Sequence, residues 1–198
     1  MVPIIEQIEA YARGLAEGVP IVAKSLLHLG TRAAIDKALS RLAASGKLIR
    51  AARGIYFHPV VSRFGAGGPT VEAAIAGLAA QTGEVIVPAG AAAANRLGLS
   101  TQVPVRYVYL TSGPSRYLAF GKLRVEIRHA PRWLLFNGAS MEAGELVRAL
   151  EWLGPENAEA NLASVMERLP PTVINEVRAG ASRLPEWLAR SIAMATHA

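Results

Sequence analysis

Lys24, Thr31, Arg32, Lys37, Ser40, Arg41, Arg50 and Arg53 place six cations and two hydroxyls within one stretch of chain, and the only acid between Lys24 and Arg53 is Asp36. Cations at that density neutralise phosphates and release their counterions, and arginine and serine side chains also reach the edges of bases. The chemistry on offer is recognition of nucleic acid. Residue types that make and break bonds lack their usual spacing. There are no cysteines, so disulfides, thiolate zinc sites and a thiol nucleophile are excluded. His28, His58, His129 and His197 show no metal-ligand pattern. Ser112 and Ser115 lie outside any G-x-S-x-G motif. The glycine-rich run Arg63–Pro69 has no Lys-Ser/Thr to make it a phosphate loop. Glu142 and Glu145 read as the solvated first turn of a helix. No enzyme, cofactor or metal site is expected.

The elements that must hold the cations follow from periodicity. Ile4, Ile5, Ile8, Tyr11, Ala12 and Leu15 form one helical stripe, closed near Gly18. Pro20 keeps Val19-Pro20-Ile21 extended. A short second helix is expected from Val22 to His28, burying Val22, Ala23, Leu26 and Leu27. Thr31 is a good N-cap for a third. Ile35, Ala38, Leu39 and Leu42 recur at helical spacing and define its buried face, leaving Ala33, Lys37, Ser40 and Arg41 opposite, with Arg32 at the flank. Lys47–Arg50 and Gly54–His58 are β-prone runs around a turn at Arg53-Gly54. Three helices followed by a basic hairpin is the order of a winged helix-turn-helix. Its third helix enters the major groove, and Arg50 and Arg53 lie over the neighbouring backbone or minor groove.

The expected fold class is α+β: an N-terminal winged helix-turn-helix, then a mixed α/β domain with a helical C-terminal tail. The segments are residues 1–64 for the first domain, 65–69 as linker, 70–136 for the mixed domain and 137–198 for the tail. Charge changes with these segments. Residues 1–65 hold nine Lys/Arg against four Asp/Glu, and residues 96–132 hold seven against Glu126 alone. Residues 133–198 carry five arginines against eight glutamates. An acidic tail of this kind can pack on the basic midsection and mask it. In residues 70–136, Thr70 caps a helix to about Gln81, a strand spans Glu84–Pro88, and a helix follows over Gly90–Leu97. A strand over Val105–Thr111 leads to a hairpin of Arg116–Phe120 and Leu123–His129. In the tail, helices are expected over Met141–Leu153, Asn157–Leu169, Thr172–Ala179 and about Pro185–Ala195. Trp133, Trp152 and Trp187 are core anchors or interface residues. No stretch is long enough for a membrane span and no signal peptide is visible, so the expected location is the cytoplasm.

The run Thr31–Leu42, followed by Gly46–Arg50 and Arg53–Tyr56, resembles the N-terminal domain of AbiEi-type antitoxins. Asn95–Pro104 and Tyr109–Pro114 resemble the segment that follows in that family, and the resemblance covers about residues 5–135. The family belongs to type IV toxin–antitoxin pairs. The resemblance implies a repressor of the pair's own promoter, with double-stranded DNA bearing inverted repeats as its ligand. It also implies a functional partner, a nucleotidyltransferase-type toxin, which need not be contacted directly. The alternative is a protein-interaction scaffold or a stand-alone transcriptional regulator with no toxin partner.

Overall fold

The computed structural model describes residues 2–63, 65–135 and 140–195. In chain order its elements begin with α1 (Ile4–Arg13), a 3-10 turn (Ala23–Leu26), α2 (Arg32–Ala44), β1 (Ile49–Ala52), β2 (Ile55–Phe57), β3 (Val60–Ser62) and β4 (Gly65–Gly67). They continue with α3 (Val71–Thr82), β5 (Ile86–Pro88), α4 (Gly90–Arg96), β6 (Tyr107–Thr111), β7 (Arg116–Phe120) and β8 (Leu123–His129). The last are α5 (Met141–Met166), α6 (Pro171–Ala179), a second 3-10 turn (Ala181–Arg183) and α7 (Glu186–Ala195). The architecture is mixed α+β. By contacts the chain divides into Met1–Ile86 with Ser115–Ile127, and Val87–Pro114 with Arg128–Ala198. These units do not follow the expected segment boundaries: residues 70–86 and the 115–127 hairpin join the first, and the tail joins 87–114.

In the first unit, Ile8, Ala12, Ile21, Leu26, Ile35, Leu39, Leu42 and Tyr56 form one buried cluster. All four apolar residues expected on the inner face of α2 are buried. Thr31 caps that helix, its hydroxyl oxygen accepting the Ala34 N–H at 3.4 Å. α1 is shorter than its stripe, ending at Arg13 with Gly14 as its C-cap, and Tyr11 is exposed. The expected helix over 22–28 is a single 3-10 turn, and Leu27 is exposed. The reason is a long-range constraint. Ile21 exchanges two main-chain hydrogen bonds with Tyr56, 2.7 and 3.0 Å, so the chain before the turn is tied to β2. Val22 is then extended, and Ser25 Oγ donates back to the Val22 carbonyl at 2.8 Å.

β1 and β2 are antiparallel, with Arg50 opposite Tyr56, and a bulge lies between Arg50 and Ala52. Gly54 turns the hairpin with φ of 76°, a left-handed conformation that glycine adopts without strain. Three of the five residues expected as linker are instead β4, paired antiparallel with β3 from Val60↔Gly67 to Ser62↔Gly65. Main-chain hydrogen bonds hold this hairpin, so its glycines do not prevent it. α3 joins the N-terminal unit through a close backbone approach. A Cβ on Gly77 would lie 2.1 Å from the Gly18 carbonyl oxygen, so only glycine fits there. The Thr70 N–H also donates to Glu17 Oε1 at 2.8 Å. β7 and β8 pair from Arg116↔Ile127 to Phe120↔Leu123, and Phe120 meets Phe57 edge-on with ring centroids 5.4 Å apart.

In the second unit, Leu146, Val147, Leu150, Leu162, Val165, Val173, Val177, Leu188 and Ile192 make a helical core. α5 is broken where the sequence stop lies: Gly154 has φ 77° and ψ 167°, outside helical geometry, and Pro155 starts the next stretch. Trp133 and Trp187 pack on this core, whereas Trp152 is exposed. α4 lies tightly on α5, because a Cβ on Gly90 would fall 2.3 Å from the Arg148 carbonyl oxygen. Among the described residues no helix is long and apolar enough to cross a membrane.

Candidate nucleic-acid interface

Lys24, Thr31, Arg32, Lys37, Ser40, Arg41, Arg50 and Arg53 are all exposed, and all belong to the first unit. Four of them project from α2, whose apolar face is fixed in the core, so their directions are set by burial of Ile35, Ala38, Leu39 and Leu42. At about 100° of rotation per residue, Ala33, Lys37 and Ser40 run along the centre of the outer face. Arg32 with Asp36 falls on one shoulder and Arg41 on the other. Lys24 stands on the 3-10 turn, which packs against α2. Arg50 is on β1 and Arg53 in the hairpin turn. Thr31 differs from the rest, since its oxygen is engaged in capping.

The charges in this region are partly settled within the chain. Lys47 Nζ lies 2.7 Å from Glu9 Oε2, and Arg13 is 3.6 Å from the other oxygen of the same carboxylate. The hydrogen bond from Lys47 is the main reason the Glu9 carboxyl is held below its ordinary range. Arg32 Nε donates to Asp36 Oδ2 at 2.9 Å. Among the described residues, Lys24, Lys37, Arg41, Arg50 and Arg53 form no ion pair with an acid of this chain. They are cations held on ordered elements with their charge turned to solvent, an arrangement suited to an anionic polymer.

The second basic block is different. Arg116 makes a two-pronged pair with Glu84, 3.2 and 2.6 Å, with both side chains largely buried. Arg96 Nη1 lies 2.5 Å from Glu145 Oε1. Glu145 is therefore not part of a solvated turn: it is 4% exposed. Contact between the acidic tail and the basic midsection is real at this pair. Beside it, Arg148 is 1% exposed, its Nη1 makes a long bond of 3.4 Å to the Leu134 carbonyl, and its Nε has no partner among the described residues. Burial pulls its guanidinium down to about 10; Glu145 opposes that fall and Arg96 adds to it. Sequence reasoning did not single out this cluster. The available signal was an arginine among Leu146, Val147, Ala149 and Leu150. Among the described residues no group of three or more His, Asp or Glu side chains is placed to hold a metal ion. His197 lies outside the described residues.

A family model described as a family of unknown function, DUF6088, matches residues 5–169, and the chain belongs to that family. No curated protein and no solved structure matches it.

Proposed function

We propose that this protein binds double-stranded DNA through α2 and the β1–β2 hairpin, acting as a winged helix-turn-helix, and that it is the antitoxin and autorepressor of a type IV toxin–antitoxin pair. The observation that carries the DNA reading is the outer face of α2, where Lys37 and Arg41 stand exposed, with no acidic partner among the described residues, beside the small residues Ala33 and Ser40. A helix of this kind is narrow enough for the major groove, and small residues at its centre let it sit deep. Arg50 and Arg53 then reach adjacent phosphates from the hairpin. Each cation that neutralises a phosphate adds nearly one unit to the salt dependence, so binding weakens steeply with added salt.

The antitoxin half rests on the resemblance of Thr31–Leu42, Asn95–Pro104 and Tyr109–Pro114 to AbiEi-type antitoxins. It names the ligand as promoter DNA with inverted repeats and the functional partner as a nucleotidyltransferase-type toxin. The first test is a gel shift with duplex DNA from upstream of the gene. The parent retards it, and a variant carrying Arg32→Ala, Lys37→Ala and Arg41→Ala does not. Retention by the triple variant equal to the parent's would refute the DNA reading. For the antitoxin half, expression of a neighbouring nucleotidyltransferase gene arrests growth and co-expression of this chain restores it. Arrest without rescue counts against that half alone.

A further inference from the structure

We infer that Arg32 reads a guanine in the major groove and that Asp36 is the residue that positions it. This rests on the DNA reading of α2. Arg32 is the first residue of that helix, and its Nε donates to Asp36 Oδ2 one turn later, at 2.9 Å. Both side chains are more than half exposed, at 63% and 52%, so the pair adds little to folding.

The acid needs another reason to be there. Asp36 is the only carboxylate between Lys24 and Arg53, and it stands on the helix face that would approach phosphates. On affinity alone it is a liability, because it repels the DNA backbone. Its contact with Arg32 uses the one guanidinium nitrogen that a guanine does not need. Engagement through Nε uses the side edge of the guanidinium, which carries the Nε–H and one Nη–H, and leaves the end-on pair, one N–H from each Nη, outside that contact. Those two parallel donors match O6 and N7 of guanine, the commonest two-pronged contact to a base. An arginine loses rotamer freedom when it is fixed on a base, and tethering its Nε removes part of that cost before DNA arrives. Lys37 and Arg41 have no such tether among the described residues, which suits contacts to phosphate, where a point charge is enough.

The experiment is selection by the full chain from a random-sequence duplex library, with affinity for an unrelated duplex measured in parallel. The parent is expected to enrich a motif containing a guanine, and Arg32→Lys to lose preference at that position only. Asp36→Ala is expected to bind the unrelated duplex more tightly while its discrimination at the guanine falls about tenfold or more. Asp36→Asn, which keeps an acceptor for Nε without the charge, is expected to retain the preference. An Asp36→Ala variant that selects the parent's motif with undiminished guanine preference overturns the positioning role. A parent motif with no guanine, or one unaffected by Arg32→Lys, overturns the base assignment. A parent that selects no motif overturns sequence-specific reading by α2 itself, and the inference with it. Circular dichroism on each variant confirms that α2 is intact.

Discussion

Arg41 on α2 and Arg148 on α5 are the same residue on the same kind of element with opposite fates. Arg41 sits on a helix with one buried stripe and keeps its charge in water. Arg148 lies within residues 143–150, every one of which is buried, so its helix offers no outer face there. The first unit holds the cations of α2 at its surface, whereas in the second a buried Arg148 and a half-exposed Arg96 flank a single buried carboxylate, Glu145. Net charge cannot distinguish these uses. What separates them is whether an acid sits within reach and whether the helix has a free side.

The largest expected effect tests the exposed half of that contrast. Arg32→Ala, Lys37→Ala and Arg41→Ala together should weaken DNA binding about a thousandfold, about 4 kcal/mol. Folding stability should move by less than about 0.5 kcal/mol, because none of the three is buried. Chemical denaturation beside the binding titration checks both numbers. A triple variant that unfolds would place these residues in the packing of the first unit.

The enclosed half is tested at Glu145. Glu145→Gln leaves Arg148 and Arg96 without their shared counter-charge, and we expect a loss of about 3 kcal/mol in urea denaturation with no change in DNA affinity. Arg148→Met should do the reverse. It removes an Nε that has no partner among the described residues and leaves the Arg96–Glu145 pair, so a gain of about 1 kcal/mol is expected. The pH dependence has a definite sign. Burial pulls the folded guanidinium down to about 10, below its ordinary range, and so destabilises the fold fully below pH 10. That penalty lifts as pH rises from about 10 towards the ordinary arginine range, and the advantage of Arg148→Met shrinks over that window.

The contrast also explains which parts were legible in the sequence. α2 was readable to within a residue, because Thr31 caps it locally and its apolar period is unbroken. The β1–β2 hairpin was readable because Gly54 announces the turn. The helix expected at 22–28 failed because a bridge from Ile21 to Tyr56, distant in sequence, takes its first turn. β4 was hidden because Gly65-Ala66-Gly67 has the composition of a loop and pairs only through its backbone. All eight residues singled out from local pattern are exposed, but which cations are paired depends on partners such as Glu9 for Lys47 and Glu145 for Arg96. Those pairs span 38 and 49 positions, and no window of the sequence contains them.

The smallest predicted effect sharpens the comparison within the first unit itself. Lys47 lies in the basic stretch between Lys24 and Arg53, yet its Nζ is already bound by Glu9. If pairing rather than position in the stretch decides a cation's use, Lys47→Met should leave DNA affinity unchanged within about twofold, whereas Arg41→Ala alone should lower it about tenfold. The same variant carries a signature in acid. Because Lys47 holds the Glu9 carboxyl below the ordinary carboxylate range, the pair's contribution is fully present above that range and is lost as pH falls through the lowered folded pKa. Parent and Lys47→Met should therefore differ slightly in melting temperature at pH 7 and converge in strong acid. A loss of DNA affinity in Lys47→Met as large as that of Arg41→Ala would mean that the whole basic stretch acts as one diffuse field, and the distinction between paired and unpaired cations would fail there.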